Sequence, residues 1–350
     1  MIESVKLQNF RCFSELEVHG LKPINILVGE NASGKSAFLE AILLSSAAIP
    51  QFALQFRLWR QLGSQVDVRS DSSSYWGLWE DLFYQYDLTN PVQIEINGAE
   101  HSHRKLIISR NSDSNQTVSL GLQNVPPPPF PLVAFEWTHD GAEHVKVIPN
   151  ISGNGLIFEG AGSIFFRVSI YGPHVPELPQ NYASKFSILS KDGRIQPVID
   201  ALTAEFPFVK TLSIEINSGV PMVFAELHEH NRKFPVGLVS DGVNKLLILL
   251  LGIAINKNGI ILIDQIEDGF YFKRMASTWK VIHKFAKENG TQIFATTHSK
   301  ECLDALLPVI EENEDDFALL RASRSDDSIR FSISDGRRFG SALSQEFELR

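Results

Sequence analysis

The sequence predicts an α/β protein with a mixed sheet, an antiparallel β region near the N-terminus and an inserted middle lobe. Three observations lead there. Strand-like and helix-like stretches alternate at both ends of the chain. A glycine-rich turn separates a buried strand from an apolar-periodic helix within the first 50 residues. The stretch between about residues 63 and 230 loses that regularity.

In the first segment, 1–62, SVKLQNF and ELEV read as short strands, INILV (Ile24 to Val28) as a buried one, and SAFLEAILLSSA as a helix. In the middle segment, 63–230, the polar stretches Ser64 to Ser74 and Asn111 to Thr117 read as loops, and VPPPPFP (Val125 to Pro131) must leave helix and sheet interior. Alternation in VQIEI and KLIISR suggests antiparallel strands, and YWGLWEDLFYQY (Tyr75 to Tyr86) reads as a buried amphipathic helix. From about Ser213 order returns, with SIEIN and MVFAELHE as a hairpin, then KFPV and a turn. The last segment, 231–350, begins a helix near Ser240. A strand GIILID, a helix from Lys273 to Lys287, a strand QIFATT, a helix around CLDALL and a final hairpin of FALLRAS and SIRFSIS follow.

The chain has 350 residues and is 43% hydrophobic, enough for a large core. Its two cysteines, Cys12 and Cys302, stand in no CxxC or Cys/His spacing, which fits a reducing cytosol and argues against a disulfide framework or zinc site. MIESVKLQNF lacks the pattern of a secretory signal. The longest apolar run, Leu246 to Ile255, is about half a membrane span and reads as a buried helix, so no membrane role is expected. A net charge of −9 excludes a chain that is basic throughout, and any nucleic-acid contact would need a local patch.

GENASGKS, Gly29 to Ser36, matches GxxxxGK[ST] with a strand before it and a helix after it, the context of a phosphate-binding loop. Gly29, Glu30, Asn31, Ala32, Ser33 and Gly34 supply backbone that can wrap phosphates. Lys35 would neutralise the β and γ oxygens, Ser36 would hold Mg²⁺, and Ala37 lies in the first helical turn. Asp264, at the end of a buried strand, is placed to take the same cation. VSDGVNKLLILLL puts Ser240 and Gly242 at the mouth of a long helix, and QIFATTHS puts His298 just past a strand. A lone SxG or a lone histidine says little; their order along the chain carries the information.

These residues, with NFR (Asn9 to Arg11), LVSDGVNKLL, IILIDQIEDG and the terminal ELR, resemble the ABC-type ATPases of the SMC and RecF-like group, and most closely the OLD-like AAA-type ATPases of prokaryotes. The resemblance covers about 1–47 and 233–307. It implies an ABC-ATPase-like P-loop NTPase head and a homodimer or higher oligomer that sandwiches ATP and Mg²⁺. Ser240 and Gly242 would touch the γ-phosphate held by the partner copy's P-loop. His298 would sense that phosphate, and Arg11 would lie near the nucleotide. It also implies a place in prokaryotic defence or genome maintenance. About forty residues follow the His298 helix region, too few for the nuclease domain that OLD nucleases append, so a separately encoded effector (a nuclease or toxin in anti-phage defence) is expected. A RecF-like DNA-binding repair factor and a nucleotide-gated scaffold are the alternatives.

The sequence departs from the family at Gln265, where the resemblance implies a glutamate that polarises water. Glutamine can hold that water but cannot take its proton, and a positioned base contributes ~10²–10⁴-fold. A naturally slow switch and a Glu→Gln exchange that holds the ATP-bound state both fit. Glu267 is expected on the opposite strand face if the strand continues, and Asp268 is a candidate contact across the dimer. The pairs His101/His103 and His228/His230 are too few for a metal site. Arg57, Arg60, Arg104, Lys105, Arg232 and Lys233 read as scattered solvated charge.

Overall fold

The six residues Ile24–Gly29 are all buried and form a middle strand of the central sheet. The computed structural model describes residues 1–62, 71–99, 102–111, 130–152, 155–158, 162, 164–325 and 328–344. In the central six-stranded sheet the order is Val168–Tyr171, Ile260–Ile263, Gln292–Thr296, Ile24–Gly29, Phe317–Ser325 and Ser328–Asp335. The first five run parallel to one another, and the last returns antiparallel as a hairpin. Near-continuous apolar strands are what a sheet covered on both faces requires. Ile26, Val28, Ile261 and Ile263 pack into one core, while the alternating Leu27, Ile260 and Leu262 pack into the other.

The first core lies under the helices Asp241–Ile255, Met275–Asn289 and Lys300–Glu312. The second holds the helix Lys35–Ser46, enclosed between the central sheet and an antiparallel sheet. That second sheet runs Phe13–His19, Ile2–Phe10, Val92–Gly98, His103–Asn111, Leu132–His139, Glu143–Val147. Trp137, also in this core, donates its indole N–H to the Leu44 carbonyl at 3.0 Å and so pins the antiparallel sheet to the helix.

Several expectations change in three dimensions. Residues 63–230 contribute strands to both sheets: Val92–Gly98 pairs with the first strand, and Val168–Tyr171 pairs with the Ile260–Ile263 strand. The aromatic stretch Tyr75 to Tyr86 is not one helix but a short helix, Ser72–Trp76, followed by 3₁₀ turns, because Tyr75, Trp79 and Phe83 must all reach one core. Arg57 and Arg60 are not solvated charge, since they pair with Asp81 at 3.2 Å and Glu40 at 2.6 Å. Arg104 is buried, with its guanidinium 3.7 Å from the centre of the Phe166 ring. Two helices in the middle, Pro179–Lys191 and Gln196–Glu205, and a last one, Gly336–Ser344, were not apparent in the sequence. Most of the loops 64–74, 111–117 and 125–131, together with His101 and the terminal ELR, lie outside the described residues. Among the described residues no helix is long and apolar enough to cross a membrane.

Candidate functional site

Parallel strands deliver their C-terminal ends to one edge, and ligands of such sheets bind there. The loop Gly29–Ser36 leaves the Ile24–Gly29 strand at this edge. Gly29 has φ 138°, and a Cβ there would lie 2.2 Å from the Ala322 carbonyl oxygen of the neighbouring strand, so only glycine fits. Gly34, at φ 89°, caps the helix Lys35–Ser46, whose N-terminus faces the loop with no acidic residue in its first turn. The Lys35 ammonium donates to the carbonyls of Gly29 at 2.8 Å and Glu30 at 2.7 Å. Burial pulls its pKa below the ordinary lysine value, against the opposing pull of Asp264 and Glu267.

Asp264 follows a strand two positions across the sheet from the loop, with Gln292–Thr296 between. Ser36 Oγ donates to Asp264 Oδ2 at 2.9 Å, and Thr296 Oγ1 donates to Asp264 Oδ1 at 2.6 Å. Two hard oxygen donors thus stand side by side, one from the loop and one from the strand end, a donor set that fits Mg²⁺. Among the described residues no group of three His, Cys, Asp or Glu side chains could hold a metal unaided.

The strand ends at Ile263, and Gln265 sits at φ 54° with its N–H donated to Thr296 Oγ1 at 2.8 Å. This left-handed residue turns the chain, which corrects the expectation for Glu267. Instead of facing away, its carboxylate returns beside the site and accepts the His298 N–H at 2.9 Å. Gln265 and His298 line one cleft of about 580 Å³ together with Asn31 to Ala37, Arg11, Cys12, Arg60, Phe83, Gln85, Tyr86 and Arg324. Sequence reasoning missed the last four. An aromatic-rich turn and an arginine seven residues into a strand carry no motif, and only the fold brings them to the loop.

Arg11 lines the cleft, but its guanidinium is already engaged: Nη1 lies 2.7 Å from Asp81 and Nε 3.0 Å from Glu40. Burial pushes the Glu40 carboxyl upward, and the Arg11 and Arg60 charges oppose that. Ser240 and Gly242 do not line the cleft. Ser240 is exposed and caps the helix Asp241–Ile255 by accepting the Val243 N–H at 3.1 Å. Further along that helix, Lys245 donates to the carbonyls of Gln265, at 3.2 Å, and Asp268. Burial lowers its pKa to about 8, with Asp268 and Glu267 pulling the other way.

Comparison with known proteins matches this chain to two family profiles. One, described as an AAA ATPase domain, covers residues 1–123, and the other, an AAA domain described as a putative AbiEii toxin of a type IV TA system, covers residues 136–304. An ATP/GTP phosphatase of Helicobacter pylori is 24% identical over 344 residues, 90% of each chain. The DNA replication and repair protein RecF of Listeria welshimeri is 43% identical over 47 residues, 13% of each chain. A solved SMC head domain, bound in its crystal to the C-terminal domain of ScpA derived from Pyrococcus furiosus, aligns over 99% of both chains with a TM-score of 0.51 and 11% identity, a likeness of fold.

Proposed function

We propose that this chain works as a P-loop ATPase of the SMC and RecF-like kind, which its two AAA profile matches and its likeness to an ATP/GTP phosphatase support, that two copies close around ATP, and that the closed state controls a separately encoded effector. One observation carries the reading. Asn31–Ser36, Gln265 and His298 line a single cleft, and Ser36 ties it to Asp264, while Ser240 is exposed and neither it nor Gly242 lines that cleft. A helix N-terminus capped by an exposed serine is a ready anion site, here with Asp241 in its first turn.

In this reading, the amides of Asn31 to Ser36 and the Lys35 ammonium grip the phosphates, with Ala37 in the first helical turn behind them. Ser36 and Asp264 would hold Mg²⁺, whose charge neutralises the β and γ oxygens. His298 stands at the γ-phosphate side, and Gln265 orients water without taking its proton, so turnover is slow and the ATP-bound state persists. Arg11 acts through the Glu40–Asp81 network rather than by direct contact. Asp268, exposed in the turn after Asp264, would meet the second copy. ATP then acts as the closing ligand and hydrolysis as the release step.

The profile over 136–304 supports a toxin–antitoxin setting, although it describes the matched AAA domain itself as the putative toxin; the effector of this reading is a separate nuclease or toxin of anti-phage defence, in the cytoplasm, where Cys12 and Cys302, in no disulfide, would stay reduced. A RecF-like role on DNA is the second reading, favoured by the short match to that repair protein. Light scattering after gel filtration, with and without ATP and Mg²⁺, tests the sandwich. The mass should double with nucleotide, and Ser240→Arg should abolish the doubling while leaving ATP binding intact. A monomer at saturating ATP overturns the proposal. Salt-sensitive, ATP-dependent binding to duplex DNA would favour the second reading.

A further inference from the structure

The cleft holds a pair of residues for which the phosphate chemistry has no use. Gln85 and Tyr86 are consecutive, bear Cβ atoms, and both adopt left-handed backbone, with φ of 52° and 60°. Such backbone is costly for L side chains and persists where the surroundings enforce it, often at a ligand site. The enforcement is visible. Tyr86 donates its N–H to the Phe83 carbonyl at 3.1 Å and Asp87 to that of Tyr84 at 3.0 Å. Phe83 is buried and bridged to Phe10, and the Arg11 N–H donates to the Leu82 carbonyl at 2.8 Å. The turn is therefore fastened to the corner that carries Arg11 and Cys12, and yet Tyr86 as a residue is 65% exposed while lining the cleft.

The two flanks of the phosphate loop differ. Gln265 is tied through Asp264 to Ser36, the side of the cation and the terminal phosphate. Cys12 packs on the other flank, with its Sγ 3.1 Å from where a Cβ on Gly34 would stand, and Arg324 reaches the Ala32 carbonyl there. A triphosphate whose terminal group points at Gln265 and His298 sends its sugar and base toward Cys12, Phe83 and Tyr86.

We infer that Tyr86 is the platform on which the purine base of the nucleotide stacks, held in place by the left-handed Gln85–Tyr86 turn. The inference rests on the phosphate-loop reading above. Every base presents a π face, so stacking grips adenine and guanine alike. The Gln85 amide, with both a donor and an acceptor, suits either base edge.

Calorimetric titration of the full chain with ATP, GTP and inorganic tripolyphosphate, each with Mg²⁺, separates the two claims. Tyr86→Ala is expected to weaken ATP and GTP by the same factor, on the order of 10-fold or more, and to leave tripolyphosphate unchanged. Tyr86→Phe should restore both nucleotides to within about twofold, because a ring stacks with or without its hydroxyl. Unchanged ATP affinity in Tyr86→Ala, or an equal loss for tripolyphosphate, overturns the platform. Lys35→Ala should weaken all three ligands; if it weakens none, the phosphate-loop premise fails instead. The exposed position of Tyr86 makes a folding failure of these variants detectable by an altered melting temperature, and Tyr86→Phe then decides.

Discussion

The Glu267 carboxylate accepts the backbone N–H of His298 at 2.9 Å, so the turn that follows the Asp264 strand holds the loop that follows its neighbour. Its second oxygen is buried without a hydrogen-bond partner. Removing the side chain frees the His298 loop. In a chain carrying Gln265→Glu, where phosphate release is fast enough to follow, Glu267→Ala should lower kcat about 10-fold with KM changed less than about threefold. Glu267→Gln keeps a carbonyl acceptor and should recover most of the rate. Equal rates for the alanine and glutamine variants would show that the hydrogen bond does not position His298.

Gln265→Glu alone should raise steady-state phosphate release by at least about 10-fold, since a carboxylate can accept the proton that an amide cannot. Both side chains are nearly isosteric, and the N–H held by Thr296 is unaffected. An unchanged rate would remove the role assigned to this position.

Thr296 is fully buried and serves two partners, donating to Asp264 Oδ1 and accepting from the Gln265 N–H. Thr296→Val keeps the shape and strands both groups. A buried polar group left unpaired costs about 1–3 kcal/mol, so urea denaturation should show a loss of that size. Mn²⁺ binding followed by electron paramagnetic resonance should weaken in parallel as Asp264 loses its orientation. A variant as stable as the parent, with the same Mn²⁺ affinity, contradicts the coupling.

Lys245 provides a pH signature. Its folded pKa of about 8 lies below the ordinary lysine value of 10.5 because burial disfavours the charge. Between these values the unfolded chain binds a proton that the folded chain does not, so stability attributable to this group rises with pH across that window and its penalty is complete below about 8. The difference in unfolding free energy between the parent chain and Lys245→Met should therefore shift in the parent's favour from pH 7.5 to 10, by on the order of 1–3 kcal/mol. A difference that stays flat with pH would place the Lys245 titration elsewhere.

Much of the site was legible because local chemistry dictates it. GENASGKS requires glycine at Gly29 and Gly34 for the backbone to turn there, and the aliphatic run into Asp264 requires a buried strand. The cap at Ser240 follows from a serine before a long apolar helix. Glu267 was misread because strand alternation was extended past Ile263, where the left-handed Gln265 breaks it. Arg57, Arg60 and Arg104 were misread because a charge in sequence carries no sign of burial. Their positions beside Asp81, Glu40 and Phe166 come from contacts between distant segments.

The sequence by itself determined the local frame: which strands are buried, where the phosphate loop turns, which helix the serine caps, and which acid ends its strand. Each of these depends on neighbours within a few residues, whose backbone preferences and hydrophobic period are written consecutively. The tertiary structure alone decided that Tyr86 and Arg324 line the same cleft as the loop, that Glu267 returns to His298, and that Lys245 ties the Ser240 helix to the Asp264 turn. Those juxtapositions arise when a parallel sheet collects strand ends from remote parts of the chain at one edge, and nothing local encodes that order.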